Sequence, residues 1–287
     1  MKIIRSLLFI PGNRPDMLGK VDKYSPDAFV PDMEDSVPRS EKQNARKHIN
    51  DALDNMMRLG IPVIPRINSL NSGLAYEDIA IALNHKVFGL TVGKVASAAD
   101  IKKLSEIIAI IEVDNGYEIG STKLIVWIET AQSVINVREI SRSSPRLLAL
   151  AFGAEDYTND MAIKRQSDDS EIEFGRHSVA IAARSANLLS LDTPYFQFNN
   201  NEGLKGDILI ARSIGYTGKF AIHPNQIEAI NNGFIPSIED LEQAKQIVSE
   251  YQKALSFGKG AISVNGMVVD VPVVKRAQAV IDMAGNL

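Results

Sequence analysis

Short, continuously apolar runs alternate with amphipathic stretches along most of this chain. The runs lie at 5–12, 27–33, 61–67, 87–92, 124–129, 147–156, 191–198 and 219–224. Apolar residues follow one another in them without the inside–outside alternation of a half-exposed strand, which is the signature of parallel strands buried on both faces. Between the runs, helices are predicted over 15–24, 42–59, 76–83, 98–112, 131–141, 173–188 and 203–213. Pro15 sits early in the first, where a missing N–H costs nothing, and Gly60 stops the second. Eight strands alternating with helices predict a (β/α)8 TIM barrel over residues 1–235. A doubly wound open sheet is the competing arrangement, but no strand-to-helix turn carries G-x-G-x-x-G or G-x-x-x-x-G-K-[ST].

Beyond the barrel the pattern changes. Ser237 and Asp240 stand at capping-box spacing and open a helix that runs to about 256, followed by Gly258 and Gly260. Asn265-Gly266 separates apolar runs at 261–264 and 267–270, a strong hairpin signal. A last helix is predicted over 273–283, after Pro272. Residues 236–287 therefore read as a helix–hairpin–helix extension, expected to dock on its own barrel or a neighbour's.

Composition narrows the function classes. The chain has 287 residues, 45% hydrophobic and 23% charged, an ordinary balance for a soluble protein. A net charge of −4 gives no support to nucleic-acid binding. With no cysteine there are no disulfides, thiolate metal sites or cysteine nucleophile, which fits a reducing cytoplasm. The apolar block at 7–10 is too short for a signal peptide, and no run is long enough to span a bilayer, so a cytoplasmic protein without membrane association is expected.

Candidate chemistry gathers where strands end. The C-terminal rim of an α/β barrel is where catalytic groups collect, and there the chain places Glu34, Asp35, Arg66, Glu129 and Asp156. Each acid alone reads equally well as a helix cap. Glu129 and Asp156, closing neighbouring strands, form a pair of hard oxygen ligands for Mg²⁺, with Mn²⁺ as a substitute. His48, His85, His177 and His223 show no zinc-like spacing. Arg66 is a structural ion pair or, beside a metal, a partner for a carboxylate or enolate oxygen. Lys94 raises a Schiff-base lysine, but neighbouring acids would hold its pKa up, so an ion pair is expected. Asp270 reads as a helix N-cap and His223 as a packed histidine on their local sequence.

Several stretches together carry a family resemblance: Arg5-Ser-Leu-Leu-Phe-Ile-Pro-Gly12, Asp32-Met-Glu-Asp-Ser-Val37, Lys42-x-x-x-Arg46, Pro65-Arg-Ile-Asn68, Trp127-Ile-Glu-Thr130, Phe152-Gly-Ala-Glu-Asp-Tyr157 and Gly218-Lys-Phe-Ala-Ile-His-Pro-Asn-Gln-Ile227. Over nearly its whole length the chain resembles the citrate lyase beta-subunit-like branch of the HpcH/HpaI aldolase superfamily. The resemblance implies a TIM-barrel lyase, commonly trimeric, that cleaves or forms a C–C bond next to a thioester. It implies Mg²⁺ on Glu129 and Asp156, with Glu34 and Asp35 as partners through water and Arg66 on the substrate. Phe9, Lys20, Ile222 and His223 match positions lining an acyl-CoA site. The tail from 258 to 275 is similar to that of stand-alone citramalyl-CoA and malyl-CoA lyases, which implies that Asp270 is the acid/base, supplied by an adjacent subunit. Gly93-Lys94-Val95-Ala96 and Arg165-Gln166 depart from the usual pattern and leave substrate preference open. The expected reaction is cleavage of a 3-hydroxy-3-carboxyacyl-CoA to acetyl-CoA and a 2-oxoacid, with reversal or later thioester hydrolysis left open. The alternatives are a citrate lyase beta subunit working on a citryl carrier protein and a non-catalytic acyl-CoA-binding barrel.

Overall fold

The structure, a computed structural model, describes residues 4–285. Its eight parallel strands are β1 (Ser6–Pro11), β2 (Ala28–Asp32), β3 (Arg66–Ile67), β4 (Gly89–Val92), β5 (Lys123–Ile128), β6 (Leu147–Phe152), β7 (Leu189–Asp192) and β8 (Gly218–Ala221). Each pairs with the next and β8 pairs with β1, so the sheet closes into the barrel that the alternating pattern predicts. The helices between and after them are α1 (Pro15–Leu18), α2 (Lys42–Arg58), α3 (Ala75–Leu83), α4 (Ala98–Asp114), α5 (Ala131–Ile140), α6 (Ala154–Asp160), α7 (Glu173–Ser185), α8 (Asn201–Ser213) and α9 (Ile227–Gly233).

Inward-pointing side chains fill the barrel. Leu7, Val30, Ile64, Ile125, Ala149, Leu191 and Phe220 form one buried cluster. Trp127 packs tilted against Phe220 at 4.3 Å, and Phe9 stacks on both, 5.1 Å from Phe220 and 5.9 Å from Trp127. The indole N–H of Trp127 donates to Thr91 Oγ1 at 2.8 Å, so this aromatic floor carries no orphaned polar group.

Among the boundaries that differ from the pattern reading, three do so for a clear local reason. The helix expected over 15–24 stops at Leu18, caps on Gly19, and resumes only as a 3₁₀ turn, Val21–Lys23. The third strand shrinks to Arg66–Ile67, because Pro62 and Pro65 have no N–H for the ladder; only a bridge from Phe29 to Val63 precedes it. The seventh strand, expected over 191–198, occupies Leu189–Asp192 instead. Pro194 ends its pairing, and the following residues turn into the wall of a cavity.

Residues Ile4–Asn231 form one compact unit, and the described residues from Asn232 onward belong to a second. In the latter, α10 (Ile238–Ser256) starts with the expected Ser237/Asp240 capping box. The antiparallel strands β9 (Ile262–Val264) and β10 (Met267–Val269) turn at Asn265 and Gly266, which have φ of 50° and 78°, and α11 (Val271–Gly285) follows. Two positive φ values in a two-residue loop match the right-handed twist of the flanking strands. Ala244, Ile247, Tyr251, Val264, Val269 and Ala277 make this unit's own core.

Candidate active site

At the C-terminal ends of the barrel strands a cavity of about 370 Å³ opens over the aromatic floor. Phe9, Asp32, Asp35, Arg66, Trp127, Glu129, Asp156 and Ile222 line it, with Thr193, Pro194 and Phe196 from the loop after β7. Glu129 follows β5 directly and is 3% exposed. Asp156 lies in the first turn of α6 rather than on the strand, half-buried. The backbone is glycine where Glu129 needs space: a Cβ on Gly153 would sit 2.5 Å from Glu129 Oε2, and one on Gly93 would sit 2.6 Å from Glu129 Oε1. The backbone N–H of Lys94 donates to Glu129 Oε1 at 2.6 Å.

The loop after β2 is held from several sides. Lys42 Nζ donates to the carbonyls of Met33 and Glu34, both at 2.7 Å, and Asn68 Nδ2 donates to Met33 O at 2.9 Å. Asp78 accepts from both nitrogens of Asn68 and from Arg46 Nε. These bonds hold the backbone of the loop that carries the buried Glu34 and the exposed Asp35 to the cavity region by polar partners rather than by packing alone.

Asp32 is the site residue that sequence reasoning missed. Fully buried at the end of β2, it accepts Nε and Nη2 of Arg66 at 2.7 and 2.6 Å, and the backbone N–H of Glu34 at 2.8 Å. A bidentate carboxylate fixes both the position and the plane of the guanidinium. Burial alone would raise the Asp32 pKa, but Arg66 outweighs it and holds the carboxyl below its ordinary value. Burial works against the charge on Arg66 too, yet Asp32 and Glu34 push its pKa up, so it stays a cation. Arg66 also lies over the ring of Phe9, 4.6 Å from its centre. The signal was an acid within an otherwise apolar buried strand, two residues before the Glu34-Asp35 pair.

The remaining acids are under-compensated. Burial, followed by the charges of Asp156 and Glu34, pushes the Glu129 pKa up to about 8. Burial, followed by Asp35, raises Glu34 to about 7 against the pull of Arg66 and Lys94. Asp156 is also raised, first by burial and then by Asp35. Glu34 Oε2 is buried and has no hydrogen-bond partner. Lys94 Nζ lies 2.8 Å from Asp35 and 3.3 Å from Glu34, and these acids hold its pKa up, the opposite of what a Schiff-base lysine needs.

Clustered carboxylates that repel one another, with an orphaned buried oxygen beside them, fit a cation. Among the described residues no group of three or more His, Cys, Asp or Glu forms a ready-made metal cage. Two carboxylates completed by water and substrate oxygens suit Mg²⁺, which keeps much of its own shell.

Other expected positions are distributed differently. Phe9 and Ile222 line the cavity. His223 stacks on Phe198 at 4.9 Å, and its Nδ1 accepts the Asn225 N–H at 3.2 Å. Lys20 is exposed between α1 and the following 3₁₀ turn and is not among the cavity-lining residues. In the second unit, Asp270 Oδ1 accepts the Val273 N–H at 3.3 Å, an N-cap on the first turn of α11.

Residues 5–224 match the family described as HpcH/HpaI aldolase/citrate lyase. The citrate lyase subunit beta of Haemophilus influenzae is 35% identical over 284 residues, 99% of this chain and 98% of that protein. Mouse mitochondrial citramalyl-CoA lyase is 29% identical over 293 residues, 99% of this chain and 86% of the relative. The crystal structure of Mycobacterium tuberculosis CitE in complex with magnesium, acetoacetate and coenzyme A superposes with a TM-score of 0.82 at 23% identity, covering 99% of this chain and 98% of the other.

Proposed function

The chain belongs to the HpcH/HpaI aldolase/citrate lyase family, and from that premise we propose that it is a Mg²⁺-dependent C–C lyase acting on a 3-hydroxy-3-carboxyacyl thioester. The observation that carries this reading is the joint placement of Glu129, Asp156 and a clamped Arg66 around one cavity. Relatives named as lyases, and a structural neighbour described with magnesium and coenzyme A, support it.

Glu129 and Asp156 would hold the metal, with Glu34 and Asp35 reaching it through water. Bound there, Mg²⁺ supplies Lewis acidity toward the α-hydroxyl and carboxylate of the substrate. When the hydroxyl proton leaves, the oxygen's electron pair becomes the carbonyl of a 2-oxoacid, and the C–C pair passes into the thioester as an enolate. Arg66, kept charged and held in orientation by Asp32, places a cation for the enolate oxygen. Asp270, supplied by a neighbouring subunit of a homo-oligomer of trimer type, takes that hydroxyl proton as the base and returns it to the enolate carbon as the acid. Phe9 and Ile222 supply apolar wall for the acyl group, and Lys20 and His223 are assigned to the coenzyme A part. Citramalyl-CoA would yield pyruvate and acetyl-CoA; malyl-CoA would yield glyoxylate.

A second reading has its own support. The 35% identity to a citrate lyase beta subunit exceeds the 29% to citramalyl-CoA lyase, which favours a citryl group on a carrier protein as the substrate. Both readings share one chemistry and differ in the thioester's carrier.

The test is a panel of citramalyl, malyl and citryl thioesters, on coenzyme A and on acyl carrier protein, assayed with and without EDTA. Release of the acetyl thioester, abolished by EDTA and restored by Mg²⁺, is expected, with the preferred carrier separating the two readings. Asp270→Asn in the same assay should lose turnover and keep its Mg²⁺ affinity. If no thioester is cleaved while coenzyme A still binds, the chain is a binding barrel and the lyase assignment fails.

A further inference from the structure

Lys94 is bonded to acids from two different strands, through two different groups. Its backbone N–H donates to Glu129 Oε1 at 2.6 Å, beyond the end of β5. Its ammonium reaches Asp35 at 2.8 Å and Glu34 at 3.3 Å, beyond the end of β2. To make the first bond the residue takes φ of 56°, a left-handed conformation that a non-glycine side chain adopts rarely and that persists where surrounding contacts over-determine it.

The preceding residue makes room for this convergence. A Cβ on Gly93 would lie 2.6 Å from Glu129 Oε1 and 3.1 and 3.2 Å from the two oxygens of Glu34. Both carboxylates therefore close on the backbone at the end of β4, and the only ammonium hydrogen-bonded to either of them belongs to the next residue in the chain, among the described contacts. The shorter of the two ammonium contacts goes to the exposed Asp35, a kind of pair that contributes little to stability, so that pair does not account for a strained backbone at this position.

We propose that Lys94 sets the divalent-cation affinity of the acidic rim. Its N–H presents Glu129 to the ion, while its ammonium occupies Glu34 and Asp35 and keeps them from joining Glu129 and Asp156 in gripping it. The inference rests on the reading of Glu129 and Asp156 as the metal pair. It assigns this chain's own residue the task of holding the ion loosely enough to exchange water for substrate oxygens.

A purely structural role and this one differ in sign. Damage to the site would weaken cation binding, whereas removing a positive charge beside a divalent ion strengthens it, by about tenfold at separations of several ångströms in a water-like dielectric. The experiment is titration of metal-free protein with Mn²⁺, read by electron paramagnetic resonance, with the melting temperature measured alongside. Lys94→Met keeps the N–H and loses the charge, and is expected to bind Mn²⁺ about tenfold more tightly than wild type. Lys94→Arg keeps the charge and should bind like wild type. Lys94→Gly also loses the charge and relieves the backbone, and it decides the matter where Lys94→Met does not fold. Unchanged or weaker affinity in both charge-loss variants overturns the proposal. Glu129→Gln separates the two readings: loss of Mn²⁺ binding there, with no tightening at position 94, sinks only the role of Lys94. Equal binding by wild type and Glu129→Gln sinks the metal pair and the inference with it.

Discussion

Between the barrel and the helices α7 and α8, Arg176 and Lys219 close a set of ion pairs with Asp192 and Asp207, at distances of 2.5 to 2.7 Å. Two cations meet two carboxylates, and Lys219 is fully buried among them. At the mouth of the same barrel, Arg66 and Lys94 face Asp32, Glu34, Asp35, Glu129 and Asp156. Both clusters bring ionisable groups out of water, which is costly unless each charge finds a partner. The first is satisfied within the chain and has no task left to perform. The second sets five carboxyl groups against two cations, and the surplus surrounds the cavity that Glu129 and Asp156 line. Charge balance therefore distinguishes an internal brace from a cluster whose acids suit a cation.

Glu129→Gln tests this contrast most severely. Turnover is expected to fall by more than about 100-fold, since even the outer partners of a bound metal are worth about 10–100-fold. The melting temperature of the metal-free protein should hold or rise, because a repelled buried charge has been removed. A clear fall in melting temperature would mean that Glu129 is a brace like Asp192.

Lys219→Met does the converse in the balanced cluster. It leaves two buried carboxylates with one guanidinium, and a loss of about 3–5 kcal/mol in denaturant unfolding is expected. Stability close to wild type would show that this network contributes no more than a hydrophobic replacement would.

The smallest effect is the pH signature, which should have opposite signs in the two regions. Glu129, raised to about 8 by burial and by its acidic neighbours, contributes stability that is fully present below its ordinary value near 4.5 and is lost as pH rises through about 8. Asp207 behaves the other way. Burial would raise it, but Lys219 and Arg176 outweigh burial and lower it, so its contribution is present above the ordinary carboxylate range and is lost in acid. Melting curves of metal-free protein should therefore decline toward pH 8.5 and, separately, below pH 4. Mg²⁺ should abolish the alkaline decline alone and release protons on binding below pH 8. An alkaline decline untouched by Mg²⁺ would assign it to groups outside the rim.

Much of this was legible in the chain itself. Short continuous apolar runs read as strands covered on both faces, and eight of them with helices between leave a barrel as the economical solution. That alternation also placed Glu129 and Arg66 on one rim, because every βα connection of a parallel barrel starts at the same end. Ser237 with Asp240 and Asn265-Gly266 were readable for a similar reason: caps and tight turns depend on backbone needs within a few residues. Short-range chemistry and period decided these features.

Only the folded chain decided who partners whom. Asp32 looked like one acid in a run of three, and nothing in its neighbourhood along the chain marked it as the clamp on Arg66, thirty-four residues away. The seventh strand's shift depended on where Pro194 interrupts a ladder whose register is set by β6 and β8. Lys94 takes its left-handed backbone where its N–H meets Glu129 from the neighbouring strand's end, and the space at Gly93 matters because Glu129 and Glu34 both close on it. A carboxylate's role is fixed by the field it sits in, and that field is summed over residues far apart in sequence. Local pattern determines the elements and the rim they share; the sum of charges around each acid exists only once the barrel has closed.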